Sequence, residues 1–182
     1  MDANVIDFKR ICIIGPSSSG KSTLAHKLGQ KTGFPVLHLD KIAHIPGTNW
    51  KRCPLEETIQ KHDTFIQKDC WIVEGNYQKF MPQRFERADM VIVHHFNRFG
   101  CAYRFVKRAL KKNPNRPGIL NNAQEKLNWE MVYYILFKAP QKMKMYSELL
   151  KKYSHLNVIH VYSFKETGQL INEITKCPRT KK

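Results

Sequence analysis

The sequence predicts an α/β protein of three layers, with a five-stranded parallel sheet flanked by helices on both faces. Three observations lead there. Short β-rich runs alternate with longer stretches of helical periodicity. The first run feeds directly into a glycine-rich loop. A length of 182 residues, with 42% hydrophobic and 25% charged side chains, suits a single globular domain with a substantial core.

The strands are read at Arg10 to Ile14, Val36 to Leu39, Trp71 to Glu74, Met90 to His95 and Val158 to Tyr162, each a run apolar enough for burial on both faces. Apolar residues recurring every three to four positions mark helices over Lys21 to Lys31, Leu55 to Lys68, Arg98 to Lys112, Ala123 to Lys138, Gln141 to Tyr153 and Lys165 to Lys176. Strand and helix in alternation require right-handed crossovers and hence a parallel sheet. The run Lys111 to Asn122 is rich in turn formers and breakers, so the chain loops out there; about 111–140 is expected to form a mobile helical lid. One domain is expected over 1–176, followed by a basic solvated tail at 177–182.

Composition narrows the setting. A formal charge of +16, from 31 Lys and Arg against 15 Asp and Glu, attracts phosphates, nucleic acids or anionic surfaces without choosing among them. Five scattered cysteines include no CxxC pair and no zinc spacing, which suits a reducing cytoplasm. No basic segment followed by an apolar run opens the chain, and Met131 to Phe137, the longest apolar run, is far below the roughly 20 residues of a membrane span. Neither export nor membrane insertion is expected.

Gly15, Gly20, Lys21 and Ser22 fit GxxxxGK[ST], with a strand before the loop and a helix after it. The glycines let Gly15, Ser17, Ser18, Ser19, Gly20, Lys21, Ser22 and Thr23 curl so that main-chain N–H groups point inward, and the helix N-terminus adds its positive end. This is a nucleotide-triphosphate cradle of the P-loop NTPase type, for ATP with Mg2+. Lys21 should reach the β and γ phosphates, and the Ser22 hydroxyl should ligate magnesium.

Ligands of open parallel sheets sit beyond the carboxyl ends of the strands. Asp40 is read at the end of the second strand and Glu74 at the end of the third. Either could hold magnesium through water, or Asp40 could orient or deprotonate an acceptor hydroxyl. On the helix from Arg98, Arg104 and Arg108 lie four apart and off the apolar stripe, a spacing that stacks two guanidinium groups for clamping a phosphoryl group, with Arg116 approaching from the lid. Trp50, Trp129, Tyr133 and Tyr134 could stack on a base, though aromatics at helical spacing usually belong to a core. His94 and His95, adjacent on a strand, face opposite sides and cannot converge on one ligand.

Taken in order, the phosphate loop, Leu39-Asp40, Trp71-Ile72-Val73-Glu74-Gly75-Asn76-Tyr77, Arg104 to Arg108, Arg116-Pro117 and Asn128-Trp129-Glu130 resemble the bacterial topology modulation proteins, small P-loop proteins related to adenylate kinase. The resemblance implies a nucleoside monophosphate kinase-like fold with ATP as donor, but supplies no acceptor. Where adenylate kinases carry Asp-Gly-Phe-Pro-Arg after the third strand, this chain has Glu74-Gly75-Asn76-Tyr77, so the likeness stops short of AMP. Lys41, Lys51 or Arg84 are cations that could take the missing Arg's place.

The leading expectation is transfer of the ATP γ-phosphoryl group to a small-molecule or nucleotide acceptor by a monomer or homodimer. A nucleic-acid-associated ATPase is the alternative, motivated by the charge, and a polynucleotide-end kinase would satisfy both. GTPase, transporter and ring-motor readings fall away: no NKxD, no LSGGQ and no length for a second helical domain.

Overall fold

The computed structural model describes residues 8–48, 50–111, 117–119 and 127–176. Five strands, β1 (Arg10–Ile14), β2 (Val36–His38), β3 (Trp71–Glu74), β4 (Met90–His94) and β5 (Asn157–Val161), form one sheet in the order β2-β3-β1-β4-β5. Every pairing is parallel, with Ile11 beside Ile72 and Met90, and Ile13 beside Glu74 and Ile92. The expected three-layer fold is therefore present. β1 lies at the centre, and the carboxyl ends of β1, β2 and β3 share one edge, the position at which open parallel sheets bind ligands.

The period-two alternation of β1 sorts its side chains into two cores. Ile11 and Ile13 join Ile72 and Ile92 beneath α1 (Lys21–Thr32) and α8 (Phe164–Lys176), through Leu24, Leu28 and Leu170. Cys12 and Ile14 face the other way, toward Trp71, Val73 and Val91. There α3 (Leu55–Ile66), α4 (Met81–Arg87) and α7 (Ala139–Leu150) cover the sheet with Ile66, Phe85, Tyr146 and Leu150. Each such side chain contributes roughly 1.5–3 kcal/mol on burial, so a one-residue slip of β1 would forfeit both cores at once. Burial on both faces holds for β1, β3 and β4 but for most of β2 and β5 only in part, because those strands form the sheet edges.

Apart from α4, which the sequence did not predict, and shifts of one or two residues at several ends, two differences bear on the site. β2 stops at His38, and Leu39–Ala43 turns into a short helix, α2, so Asp40 sits in a first helical turn rather than at a strand end. The two helices expected on either side of Ala139 run continuously in the described residues, from α6 (Trp129–Tyr133) through a π-helical turn at Tyr134–Lys138 into α7. Pro140 is the cause: it has no N–H for the Leu136 carbonyl and its ring crowds that carbonyl, so the helix widens by one residue there. Arg98, the first residue of α5 (Arg98–Lys111), donates to the freed Leu136 oxygen at 3.2 Å. The rest of α5 packs on this segment through Cys101, Phe105 and Ile135.

Of the looped-out stretch, Lys111, which ends α5, and residues 117–119 fall within the described residues; Arg116 and the tail at 177–182 lie outside them. No helix is long and apolar enough to cross a membrane, among the described residues. Cys12, Cys53, Cys70 and Cys101 are free thiols.

Candidate active site

The loop between β1 and α1 carries backbone of alternating hand: Ser18 has φ 61° and Gly20 φ 90°, both left-handed, and Gly15 has φ 151°. Such reversals turn successive N–H groups to one side. Gly15 is also a matter of space, since a Cβ there would stand 2.6 Å from the His94 Cβ. The loop is braced from three directions. Asn76 accepts from the Gly15 N–H at 3.0 Å and returns its amide N–H to the Gly15 carbonyl. Arg104 Nε donates to the Ser18 carbonyl at 2.9 Å, and His94 Nδ1 lies 3.1 Å from the Ser19 carbonyl. Burial, then the nearby Lys21 charge, pushes His94 down to about 4, so it supports the loop as a neutral imidazole.

Lys21 opens α1 and is partly enclosed rather than exposed on a loop, with Nζ donating to the Pro16 carbonyl at 2.8 Å. Burial lowers its pKa, opposed by the charges of Glu74 and Asp40. Ser22 Oγ donates to Glu74 Oε1 at 2.9 Å, and His38 Nδ1 reaches the same oxygen at 2.8 Å. Burial by itself would raise the Glu74 carboxyl, but the His38 bond, the Lys21 charge and the Ser22 hydroxyl together hold it below the usual range. The side chain is thus an ionised carboxylate, only 3% exposed, touching the hydroxyl predicted to hold magnesium. Hard oxygen donors of this kind suit Mg2+.

Asp40 is held differently. The residue is exposed overall, yet desolvation by the groups around its carboxyl and the charge of Glu74 raise its pKa, while the Tyr77 hydroxyl, which donates to Oδ1 at 2.9 Å, favours the ionised form. The two carboxylates therefore sit on one cavity with opposite tendencies, Glu74 as a fixed anion and Asp40 as a group that can take a proton. Their separation of roles comes from environment, the pattern by which one site hosts both an anchor and a base. The cavity measures about 1030 Å³ and runs from Lys21 and Ser22 past Asp40 and Tyr77 to Trp50, Arg52 and Lys142.

The two arginines of the expected clamp are not equivalent. Arg104 is spent on the loop carbonyl and lies over the rings of Phe96 and Phe164, at 5.5 and 4.8 Å. Both arginines line a cavity of about 230 Å³ beside the phosphate loop, and of the two only Arg108 also borders the main cavity. Arg84 is corrected: it is fully buried, donates to the Gly75 carbonyl at 2.8 Å, and is absent from the cavity wall. Trp129 and Tyr133 are 70% and 55% exposed rather than core, whereas Trp50 and Tyr134 do line the cavity. His94 and His95 diverge as expected; His95 pairs instead with His160, at 2.8 Å.

Within Glu74 to Tyr77, Asn76 and Tyr77 take roles that the sequence did not assign, beside the expected acid Glu74. Glu74 anchors Ser22, Asn76 pins Gly15 and Tyr77 holds Asp40, while Tyr146 of α7 donates to the Asn76 carbonyl at 3.0 Å. An acid, an amide and a phenol packed into four residues just past a strand end was the available signal. Gly118 gave no such signal: a Cβ there would stand 2.8 Å from Ser22 Oγ, so the Pro117–Ile119 turn lies directly on that hydroxyl.

This sheet order, with the phosphate loop joining the central strand to its helix, defines a P-loop NTPase fold of the kinase-like kind. Comparison with known proteins agrees at that level. Residues 9–78 match the family model for isopentenyl transferase. A crystal structure of a gluconokinase from Sinorhizobium meliloti 1021 superposes with a TM-score of 0.56 at 13% identity, covering 93% of this chain and 90% of that one, a likeness of fold. No curated protein matches the sequence.

Proposed function

We propose that the protein is an ATP-dependent phosphotransferase acting on a small acceptor. The observation that carries this reading is one cavity edged at one end by Lys21, Ser22 and Glu74 and farther along by the Asp40–Tyr77 pair. The loop N–H groups and Lys21 bind and orient the triphosphate, and Arg108 meets the charge that develops on the transferring group. Ser22 and Glu74 would hold Mg2+, which when bound offsets phosphate charge. Asp40 accepts the proton of the acceptor hydroxyl as its oxygen attacks, and Tyr77 keeps the carboxylate turned toward the cavity.

Purified protein incubated with labelled ATP and a metabolite library tests the reading. A phosphorylated product supports it. Intact ATP binding with no product from any acceptor counts against it.

A second reading draws on the match over residues 9–78: transfer of an isopentenyl group, with Asp40 taking a proton from the recipient. A labelled isopentenyl-type diphosphate distinguishes the two, since only one of the two labels is transferred. The kinship with bacterial topology modulation proteins is proposed on Glu74 to Tyr77 and Asn128 to Glu130, as are a cytoplasmic setting and a lid that includes residues 117–119. Nucleic acid as a partner rests on the +16 charge; if it is real, affinity for DNA falls steeply between 50 and 200 mM salt, and an absence of binding at low salt removes it.

A further inference from the structure

The cavity continues well past the phosphate loop, and the charges on its far wall are unevenly committed. Glu74 is engaged by Ser22 and His38, and Asp40 by Tyr77. Lys142 stands over the Tyr134 ring, 5.2 Å from its centre. Arg52 and Lys79 differ: both line the cavity, and among the described residues neither side chain has a hydrogen-bond or ion-pair partner.

Arg52 is not on a slack loop. Its backbone bridges antiparallel to His44, the Ile45 N–H donates to the Lys51 carbonyl at 2.9 Å, and the Cys53 N–H donates to the Ala43 carbonyl at 3.0 Å. Thr48 Oγ1 closes the turn on the Ile45 carbonyl at 2.6 Å. Trp50, next but one to Arg52, holds a left-handed φ of 60° with its ring edge-on to His44 at 5.2 Å. A non-glycine residue in that conformation costs on the order of 1 kcal/mol or more and persists where its surroundings fix it. The turn thus presents a guanidinium to the cavity from a defined frame, on the side where the Tyr77 hydroxyl feels its charge. An unpaired planar fork suits carboxylate or phosphate oxygens, which it meets two at a time.

We propose that the acceptor is a small hydroxylated compound bearing a carboxylate or a phosphate, with its hydroxyl at Asp40 and its anionic group between Arg52 and Lys79. The assignment rests on the phosphotransferase reading and names the class of its acceptor. Transfer forms the bond from the acceptor oxygen to the γ-phosphorus, breaks the bond from that phosphorus to the bridging oxygen, and passes the hydroxyl proton to Asp40, with ADP leaving.

Two measurements test it. In the first, inorganic phosphate is titrated into protein saturated with AMP-PNP and Mg2+, and binding is followed by tryptophan fluorescence and calorimetry. Saturable binding that weakens at least tenfold in Arg52→Ala and in Lys79→Ala, but not in Lys27→Ala on the outer side of α1, supports the site. No saturable binding, or binding insensitive to Arg52, overturns it. In the second, ADP release is measured with D-gluconate and D-glycerate as carboxylates, glucose 6-phosphate and AMP as phosphates, and glucose, glycerol and thymidine as neutral hydroxyl compounds. Acceleration by an anionic member, with its KM raised at least tenfold in Arg52→Ala and kcat changed less, supports the class and says which anion is read. Acceleration only by neutral compounds, or only by a polynucleotide 5′-hydroxyl end, overturns it. Phosphate binding at Arg52 with no transfer to any compound leaves the anion site standing and rejects the phosphotransferase reading, so the two failures are distinct.

Discussion

At the scale of single residues, the site depends on environment more than on residue type. Lys21 carries a charge that burial disfavours and that Glu74 and Asp40 support. Lys21→Ala should therefore cost turnover roughly a hundredfold or more while the melting temperature stays level or rises slightly; near-normal turnover would mean that the phosphate site is elsewhere. Asn76 makes two hydrogen bonds to Gly15, and each is worth about 1 kcal/mol. Asn76→Ala should weaken AMP-PNP binding about tenfold by calorimetry, and undiminished affinity would show that the loop keeps its shape without it. For Asp40 the sign follows from its raised pKa: a base must be deprotonated, so turnover should fall with decreasing pH through a midpoint above the ordinary carboxylate value of about 4. Tyr77→Phe removes a bond that favours the ionised form, so the midpoint should move to still higher pH.

At the scale of elements, two contacts tie separate segments to the site. The Pro117–Ile119 turn seats on Ser22 only because residue 118 lacks a Cβ, and its φ of 77° disfavours any side chain. Gly118→Val should lower turnover about tenfold or more with little change in melting temperature, since the turn lies outside both cores of the sheet. A large fall in stability instead would make the turn a structural strut. At the opposite edge of the sheet, Asp89 accepts from the Lys9 and Arg10 N–H groups and pairs with the Arg10 guanidinium at 2.6 Å, joining the starts of β1 and β4. These contacts outweigh the burial that would raise it and hold its pKa below the usual range. A depressed carboxyl stabilises above its unfolded pKa of about 4, and that stability is lost as pH falls through the folded value. Asp89→Asn should therefore cost about 1 kcal/mol at neutral pH, a modest figure because the pair is partly solvated, and the gap from wild type should close in acid.

At the scale of the whole molecule, parallel topology gathers groups that are far apart in sequence. The ends of β1, β2 and β3 deliver the phosphate loop, His38 and Glu74 to one edge, α2 adds Asp40, and the 44–53 turn brings Arg52. Tyr146, on the helix that follows the candidate lid, reaches the Asn76 carbonyl and so links that helix to the loop through one residue. The +16 charge is partly explained at this scale, since Lys21, Arg52, Lys79, Arg108 and Lys142 all border one cavity.

The local code was sufficient for the parts in which chemistry and backbone lie together. Gly15 to Thr23 read as a phosphate cradle because its glycines, Lys21 and Ser22 lie within one short loop, and the five strands read as strands because each is a short, mostly apolar run. Asp40 and Glu74 were legible as strand-end acids, although the end of β2 was misplaced because Leu39, equally at home in strand or helix, is decided by the turn that follows. What a side chain touches was not legible. Arg104 and Arg108 share one side of a helix wheel, yet packing against Phe96 and Phe164 turns Arg104 to the Ser18 carbonyl, so of the two only Arg108 borders the main cavity. Arg84 reads as a free cation in the sequence and proves to be a buried support. The opposite protonation tendencies of Glu74 and Asp40 likewise depend on His38, Tyr77 and enclosure. The sequence by itself determined the fold and the phosphate loop, because backbone geometry and apolar periodicity act over a few residues. Only the tertiary structure decided which charges are spent on the scaffold and which remain for a ligand, because partners and burial arise between segments the chain separates by tens of residues.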